Sequence, residues 1–190
     1  MEENWKQVIN RKIVNEISIC TNCSLAKTRL NPVPGEGNLN SKLMLVGEGP
    51  GANEDKQGRP FVGEAGRILE DLLSLIQLKR SQVFIGNTVK CRPPNNRTPT
   101  AIEIETCKPF LTSQIALIQP NLILILGNAA LISLLGIGFS ISKVRGQLIQ
   151  EDGMLYFPTF HPAAALYRRE VLGTIQGDFQ ILQEIMKDKW

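Results

Sequence analysis

Apolar residues recur every three or four positions along some stretches of this chain and run unbroken along others. Trp5, Val8, Ile9, Ile13 and Ile17 stand at helical spacing and predict an amphipathic helix over 5–18. Cys20-Thr-Asn-Cys23 closes it, and Asn31-Pro-Val-Pro-Gly-Glu-Gly37 reads as a turn-rich connection. Lys42 to Val46 is a short buried strand running into Gly47-Glu-Gly-Pro-Gly51. Leu69, Leu72, Leu73 and Ile76 give a helix over 64–77, and the β-branched run Val83 to Val89 a second strand. The Pro-rich segment Cys91 to Pro99 can be neither helix nor sheet interior. Thr100-Ala-Ile-Glu103 is a capping box that opens a helix to about Ile118. Leu122 to Leu126 is a third strand, continuously apolar, followed by Gly127 and a short helix to Leu135. Asp152-Gly153 predicts a hairpin between Gln147–Gln150 and Met154–Phe157. Ala163 to Arg169 and 174–188 read as helices. Strands alternating with helices, two of the strands apolar on both faces, predict a three-layer α/β/α domain around a mainly parallel four-stranded sheet.

Ligands of such folds collect at the carboxyl ends of the parallel strands. The Gly- and Pro-rich segments fall there: Gly47–Gly51 after the first strand, Asn87 near the end of the second, His161 after the last. A length of 190 residues suits one domain over 1–190, and 43% hydrophobic with 21% charged residues excludes both a disordered chain and a membrane-embedded one. No apolar run is long enough to span a bilayer, and no basic segment followed by an apolar run opens the chain. The expectation is a cytoplasmic monomer, associated with the nucleoid in a bacterium or archaeon.

A reducing compartment leaves four cysteines without a disulfide role. Cys20 and Cys23 form C-x2-C, and Cys91 and Cys107 follow at long range. Two thiolates from one turn can share a metal centre with two distant ligands; four unrelated buried thiols are the plain alternative. Zinc and a 4Fe–4S cluster both accept four thiolates. Zinc sites more often pair two knuckles, so the scattered Cys91 and Cys107 favour iron–sulfur, with zinc as the alternative. In either case the ligands bracket nearly half the chain, which suits a structural clamp. Gly47–Gly51 has neither the P-loop nor the dinucleotide-binding spacing, so a phosphate cradle is not expected.

The string GEGPGANEDKQGRPFVGEAGRILEDLL over 47–73, with GNTVKCRPPNNRTPT over 86–100 and PTFHPAAAL over 158–166, resembles the family 4 uracil-DNA glycosylases, as does the cysteine framework. That resemblance implies an enzyme of base excision repair. It would flip uracil out of single- or double-stranded DNA and hydrolyse the N-glycosidic bond, leaving an abasic site. The alternative is an inactive relative that binds uracil-containing DNA. The resemblance implies Phe61 as the aromatic stacked on uracil and Asn87 as the amide that reads its Watson–Crick edge. It further implies Glu54 beside C5, where a thymine methyl would clash, and Cys20, Cys23, Cys91 and Cys107 as ligands of a 4Fe–4S cluster. His161, the one histidine, becomes the donor to the departing uracil O2. Related families carry Asp or Asn where this chain has Gly49, which leaves Glu48 as the candidate to position water or stabilise the sugar cation. The competing reading of Glu48–Gly49 is a backbone contact to the base. The formal charge of +3 falls to near +1 once a cluster with four thiolates adds about −2. DNA contacts are therefore expected in patches: Lys143 and Arg145, Arg168 and Arg169, and Lys56 and Arg59, with Leu166 as a wedge between bases.

Overall fold

The computed structural model describes residues 4–189. One sheet of six strands organises it: β1 (Glu36–Gly37), β2 (Leu43–Gly47), β3 (Phe84–Asn87), β4 (Leu122–Leu126), β5 (Ile149–Glu151) and β6 (Met154–Thr159). Their spatial order is β1-β3-β2-β4-β6-β5. The inner four are mutually parallel, as expected, and the short β1 and β5 pair antiparallel at the edges. The hairpin at Asp152–Gly153 forms, while β1 lies in the stretch that its prolines and glycines marked only as a connection.

Eight helices flank the sheet among the described residues: α1 (Trp5–Ile19), α2 (Ala52–Gln57), α3 (Glu64–Leu75), α4 (Ala101–Ile118), α5 (Asn128–Leu135), α6 (Ile141–Val144), α7 (Ala164–Tyr167) and α8 (Arg169–Lys189). The pleat sends successive residues to opposite faces. Leu43 and Leu45 of β2, with Leu122, Leu124 and Leu126 of β4, pack under α3 and α8. Met44 and Val46, with Ile123 and Ile125, pack under α4 and α5. A strand buried on both sides has no polar alternation, which is why these two read as continuous apolar runs. α1 lies outside the second layer, with Ile13 and Ile17 against Leu117 of α4.

Three boundaries differ from the sequence reading. β3 ends at Asn87, its last residue paired with β2, opposite Gly47; the Thr88 N–H closes that pair on the Gly47 carbonyl (2.9 Å) and the Val89 N–H reaches the Glu48 carbonyl (3.2 Å). α2 follows Gly51 directly; Glu54 caps it by accepting from the Gly51 N–H at 3.1 Å. α7 is a single turn, and α8 begins at Arg169, five residues earlier than its apolar spacing suggested. The α4 capping box forms as predicted, the Thr100 hydroxyl accepting from the Glu103 N–H and the Glu103 carboxylate from the Thr100 N–H.

Candidate active site

At the carboxyl ends of β2, β3 and β6 lies a cavity of about 400 Å³, lined by Glu48, Gly49, Glu54, Phe61, Asn87 and His161 among others. Gly47 makes its floor possible: a Cβ there would stand 2.6 Å from Asn87 Oδ1 and 2.8 Å from Phe61 Cζ. Asn87 itself is 2% exposed, and its Oδ1 has no hydrogen-bond partner among the described residues. Leaving a buried acceptor unpaired costs about 1–3 kcal/mol, so this oxygen is built for a donor that enters the cavity.

Phe61 is held in the left-handed region, φ 51°, by a set of bonds that its own sequence neighbourhood does not announce. Glu54 Oε1 accepts from the N–H groups of Val62 and Gly63, both at 2.9 Å, so the carboxylate ties α2 to the turn that carries the ring. From the other side Arg80 donates to the carbonyls of Phe61 and Pro60, its guanidinium paired with Glu36 at 2.8 Å. Gly66 completes the fit, since a Cβ there would run into the Phe61 carbonyl. Glu54 lines the cavity, but its oxygens already serve three backbone donors.

His161 stacks on Phe61 with ring centroids 5.4 Å apart and planes 24° from parallel. Its Nδ1 accepts from the Ala163 N–H at 3.1 Å, so the neutral ring carries its proton on Nε2. Burial lowers its pKa to about 4, against a small opposing pull from the Glu54 charge. The ring is neutral at physiological pH and a donor at Nε2. An unfolded chain protonates its histidine near 6.5, so between 6.5 and about 4 the unfolded state binds more protons than the folded one. Stability is then fully present above 6.5 and falls as the pH drops to 4, by about 3 kcal/mol from this group. Urea unfolding of the wild type and His161→Asn from pH 7.5 to 3.5 checks this: the variant should gain on the wild type only below 6.5, and a constant difference would refute it.

Glu48 is partly buried on the cavity wall; burial raises its pKa, and a hydrogen bond with Thr98 partly offsets the rise. Its backbone carbonyl accepts from the Thr88 hydroxyl at 2.5 Å. The sequence reading did not include Pro93, Asn96, Arg97 and Tyr167, which line the same cavity. Tyr167 comes with α7, whereas the loop at 93–97 is tied down by Glu103, whose carboxylate binds Arg97 (2.7 and 2.8 Å) and the Ser24 hydroxyl (2.9 Å), and whose pKa falls to about 2 chiefly through Arg97. Asn95 and Asn96, both with positive φ, form the turn that brings this loop to the rim. Paired asparagines after two prolines were the available signal for that turn.

Of the basic residues expected on DNA, Lys143, Arg168 and Arg169 are exposed. Arg145 is engaged inside the protein: its Nε donates to Asp178 at 3.0 Å and its Nη2 also binds that fully buried carboxylate. The Thr159 hydroxyl donates to the same group at 2.6 Å, so this pair anchors the end of β6 against α8. Arg59 likewise forks onto Glu36. Leu166 is exposed, and the neighbouring Tyr167 is 87% exposed at the cavity mouth.

All four cysteines line a second pocket, with Ile17, Ala26, Arg29, Lys90, Thr106 and Phe110. Arg29 donates to Cys91 Sγ at 3.0 Å and the Lys90 backbone N–H to Cys107 Sγ at 3.3 Å. Burial pushes the Cys107 thiol up to about 11 and raises that of Cys91, the N–H donors pulling the other way. Among the described residues no three His, Cys, Asp or Glu side chains are grouped to hold a single metal ion. The donor set nevertheless fits a thiolate-ligated centre: no carboxylate or imidazole lines the pocket, and two N–H donors already face its sulfurs.

Comparison with known proteins meets this geometry. The Uracil DNA glycosylase superfamily model matches residues 34–184. The chain belongs to that superfamily. It is 46% identical over 183 residues to a type-4 uracil-DNA glycosylase of Sulfurisphaera tokodaii, covering 92% of this chain and 83% of that protein. A type-4 uracil-DNA glycosylase of Thermotoga maritima is 50% identical over 161 residues, 83% of this chain and 84% of that one. One from Archaeoglobus fulgidus is 41% identical over 185 residues and covers 93% of each chain. The superfamily match spans the cavity segments at 47–51, 87 and 158–163 together with Cys91 and Cys107, while Cys20 and Cys23 precede it. No helix of the described residues is long and apolar enough to cross a membrane.

Proposed function

We propose that this chain is a monofunctional uracil-DNA glycosylase that hydrolyses the N-glycosidic bond of uracil flipped out of DNA and leaves an abasic site for base excision repair. The observation that carries it is Asn87, its buried Oδ1 unpaired, in the lining of a cavity with room for a base, with the Phe61 ring and a neutral His161 beside it. Uracil offers an N3–H to that oxygen and an O4 acceptor to the Asn87 NH2; cytosine offers the reverse pattern. Phe61 provides the flat apolar face. Glu54 stands beside C5 and, through its bonds to Val62 and Gly63, sets the position of Phe61. As the glycosidic bond breaks, the electron pair stays with the base, negative charge gathers at O2, and the His161 Nε2–H stabilises it. Glu48 either orients the attacking water or faces the sugar cation, and the Gly49 backbone meets the base edge where a side chain would crowd Val89.

Lys143, Leu166 and Arg168 are the proposed DNA contacts, with Tyr167 beside them; Arg145 leaves that set because Asp178 holds it. We place the protein in the cytoplasm as a monomer acting on single- or double-stranded DNA. Incubation with a uracil-containing oligonucleotide, followed by alkaline cleavage of abasic sites, tests the activity. Tight uracil-dependent retention without cleavage would make it a binding module instead.

For the cysteines the proposal is a 4Fe–4S cluster held by Cys20, Cys23, Cys91 and Cys107. When bound, it supplies four iron–thiolate bonds that tie the end of α1 to the loop at 91 and to α4. Purified protein is expected to be brown, with about four iron atoms per chain; a colourless protein carrying stoichiometric zinc would overturn this. Gly47→Ala tests the cavity floor. The added methyl group meets Asn87 and Phe61, so stability should fall by about 1–3 kcal/mol, and uracil release should fall with it. Unchanged release would mean the base does not sit over Gly47.

A further inference from the structure

Lys90 is 1% exposed, and among the described residues no other lysine is buried. It lines the cysteine pocket and reaches Asn87, which lines the cavity. Its Nζ donates to the Asn87 carbonyl at 2.8 Å and to Gln114 Oε1 at 2.7 Å. Gln114 Nε2 donates in turn to the Pro34 carbonyl at 2.6 Å, and the Lys90 carbonyl accepts from the Val33 N–H at 2.7 Å. A continuous run of bonds therefore joins the segment at 33–34, the middle of α4 and the last residue of β3.

As a device for holding a core together this is costly. An ammonium taken out of water and given two neutral acceptors stabilises less than an apolar side chain of the same length would. What an apolar side chain cannot do is hold the Asn87 carbonyl. The peptide that follows Asn87 is already fixed on its far side, where the Thr88 N–H reaches the Gly47 carbonyl at 2.9 Å and its hydroxyl the Glu48 carbonyl at 2.5 Å. With Lys90 on the near side the peptide plane cannot rock, which fixes the Cα–Cβ direction from which the side-chain amide extends over Gly47. Recognition depends on that placement, because the peptide sets where the Asn87 Cα–Cβ bond starts and so how closely the amide meets a base lying over Gly47.

We propose that Lys90 is a positioning residue for base recognition, its ammonium fixing the Asn87 peptide and with it the position from which the amide meets uracil. The proposal rests on Asn87 as the base reader. The test is a double-mutant cycle with Lys90→Met and Asn87→Ala, read by single-turnover uracil release, inhibition by free uracil, and affinity for abasic-site DNA. Lys90→Met should lower release about 10- to 100-fold in the wild-type background and weaken inhibition by free uracil in step, while abasic-DNA affinity holds; in the Asn87→Ala background it should change release less than about 3-fold. Equal losses in both backgrounds, or a matching loss of abasic-DNA affinity, would show a general structural role and overturn the proposal. If Asn87→Ala releases uracil as the wild type does, the base-reader assignment itself fails. Gln114→Leu, which breaks the bridge without removing the ammonium, provides a second cycle should Lys90→Met not fold. It should lose about 2- to 10-fold, again only when Asn87 is present.

Discussion

Replacing His161 by asparagine is expected to slow uracil release about 10²–10³-fold, the effect of removing one preorganised donor from a developing oxyanion. The reasoning is geometric before it is electrostatic. Ala163 N–H occupies Nδ1, which leaves Nε2–H as the free donor, and Phe61 fixes the plane of the ring. A neutral donor suits this site because a cation buried there would have to be desolvated. Single-turnover release from uracil and 5-fluorouracil substrates separates this role from a structural one. The fluorinated base leaves as a more stable anion and needs the donor less, so the loss on it should be smaller. Equal losses on both substrates would remove His161 from the chemical step.

Asn87→Asp should be at least as damaging, about 10³–10⁵-fold at pH 8, the range for a site whose hydrogen-bonding pattern no longer matches its ligand. An ionised carboxylate still accepts from N3–H but sets a negative oxygen against uracil O4. Once protonated it can donate to O4 and accept from N3–H, so release should partly recover as the pH falls toward the raised pKa of a buried aspartic acid. A pH series of single-turnover rates reads both effects. Activity within tenfold of wild type at pH 8 would mean the amide does not face the Watson–Crick edge.

The two substitutions act on different parts of one geometry. In the proposed reaction the base is recognised from β3 and cleaved from the end of β6, and β2 and β4 lie between them in the sheet. What keeps these ends in register is polar, and at Asp178 and Lys90 it is buried as well. Asp178 joins α8 to Thr159 and Arg145, Lys90 joins Asn87 to α4, and Glu54 joins α2 to the turn of Phe61. Asp178 and Lys90 are hydrogen-bonded charges in places where an apolar residue would pack more cheaply, so each fixes an arrangement more than it adds stability.

The chain's own pattern determined the layers and the order of elements. Two strands with apolar residues at every position can only be central, and the capping box at Thr100, the hairpin at Asp152–Gly153 and the glycines after β2 are local signals that act through neighbouring residues. It also placed Glu48–Gly51, Asn87 and His161 on one rim, because parallel strands deliver their carboxyl ends to the same side. The tertiary structure alone decided which long side chains turn inward. Arg145 stands in a basic stretch and meets an aspartate 33 positions away; Lys90 adjoins Cys91 and is fully buried; Glu54 looks like a solvated helix carboxylate and holds three backbone donors. Asn96, Arg97 and Tyr167 reach the cavity for the same reason. Local pattern reports the face on which a residue lies, whereas the partner of a charged side chain depends on which distant element packs there, and only the assembled layers fix that.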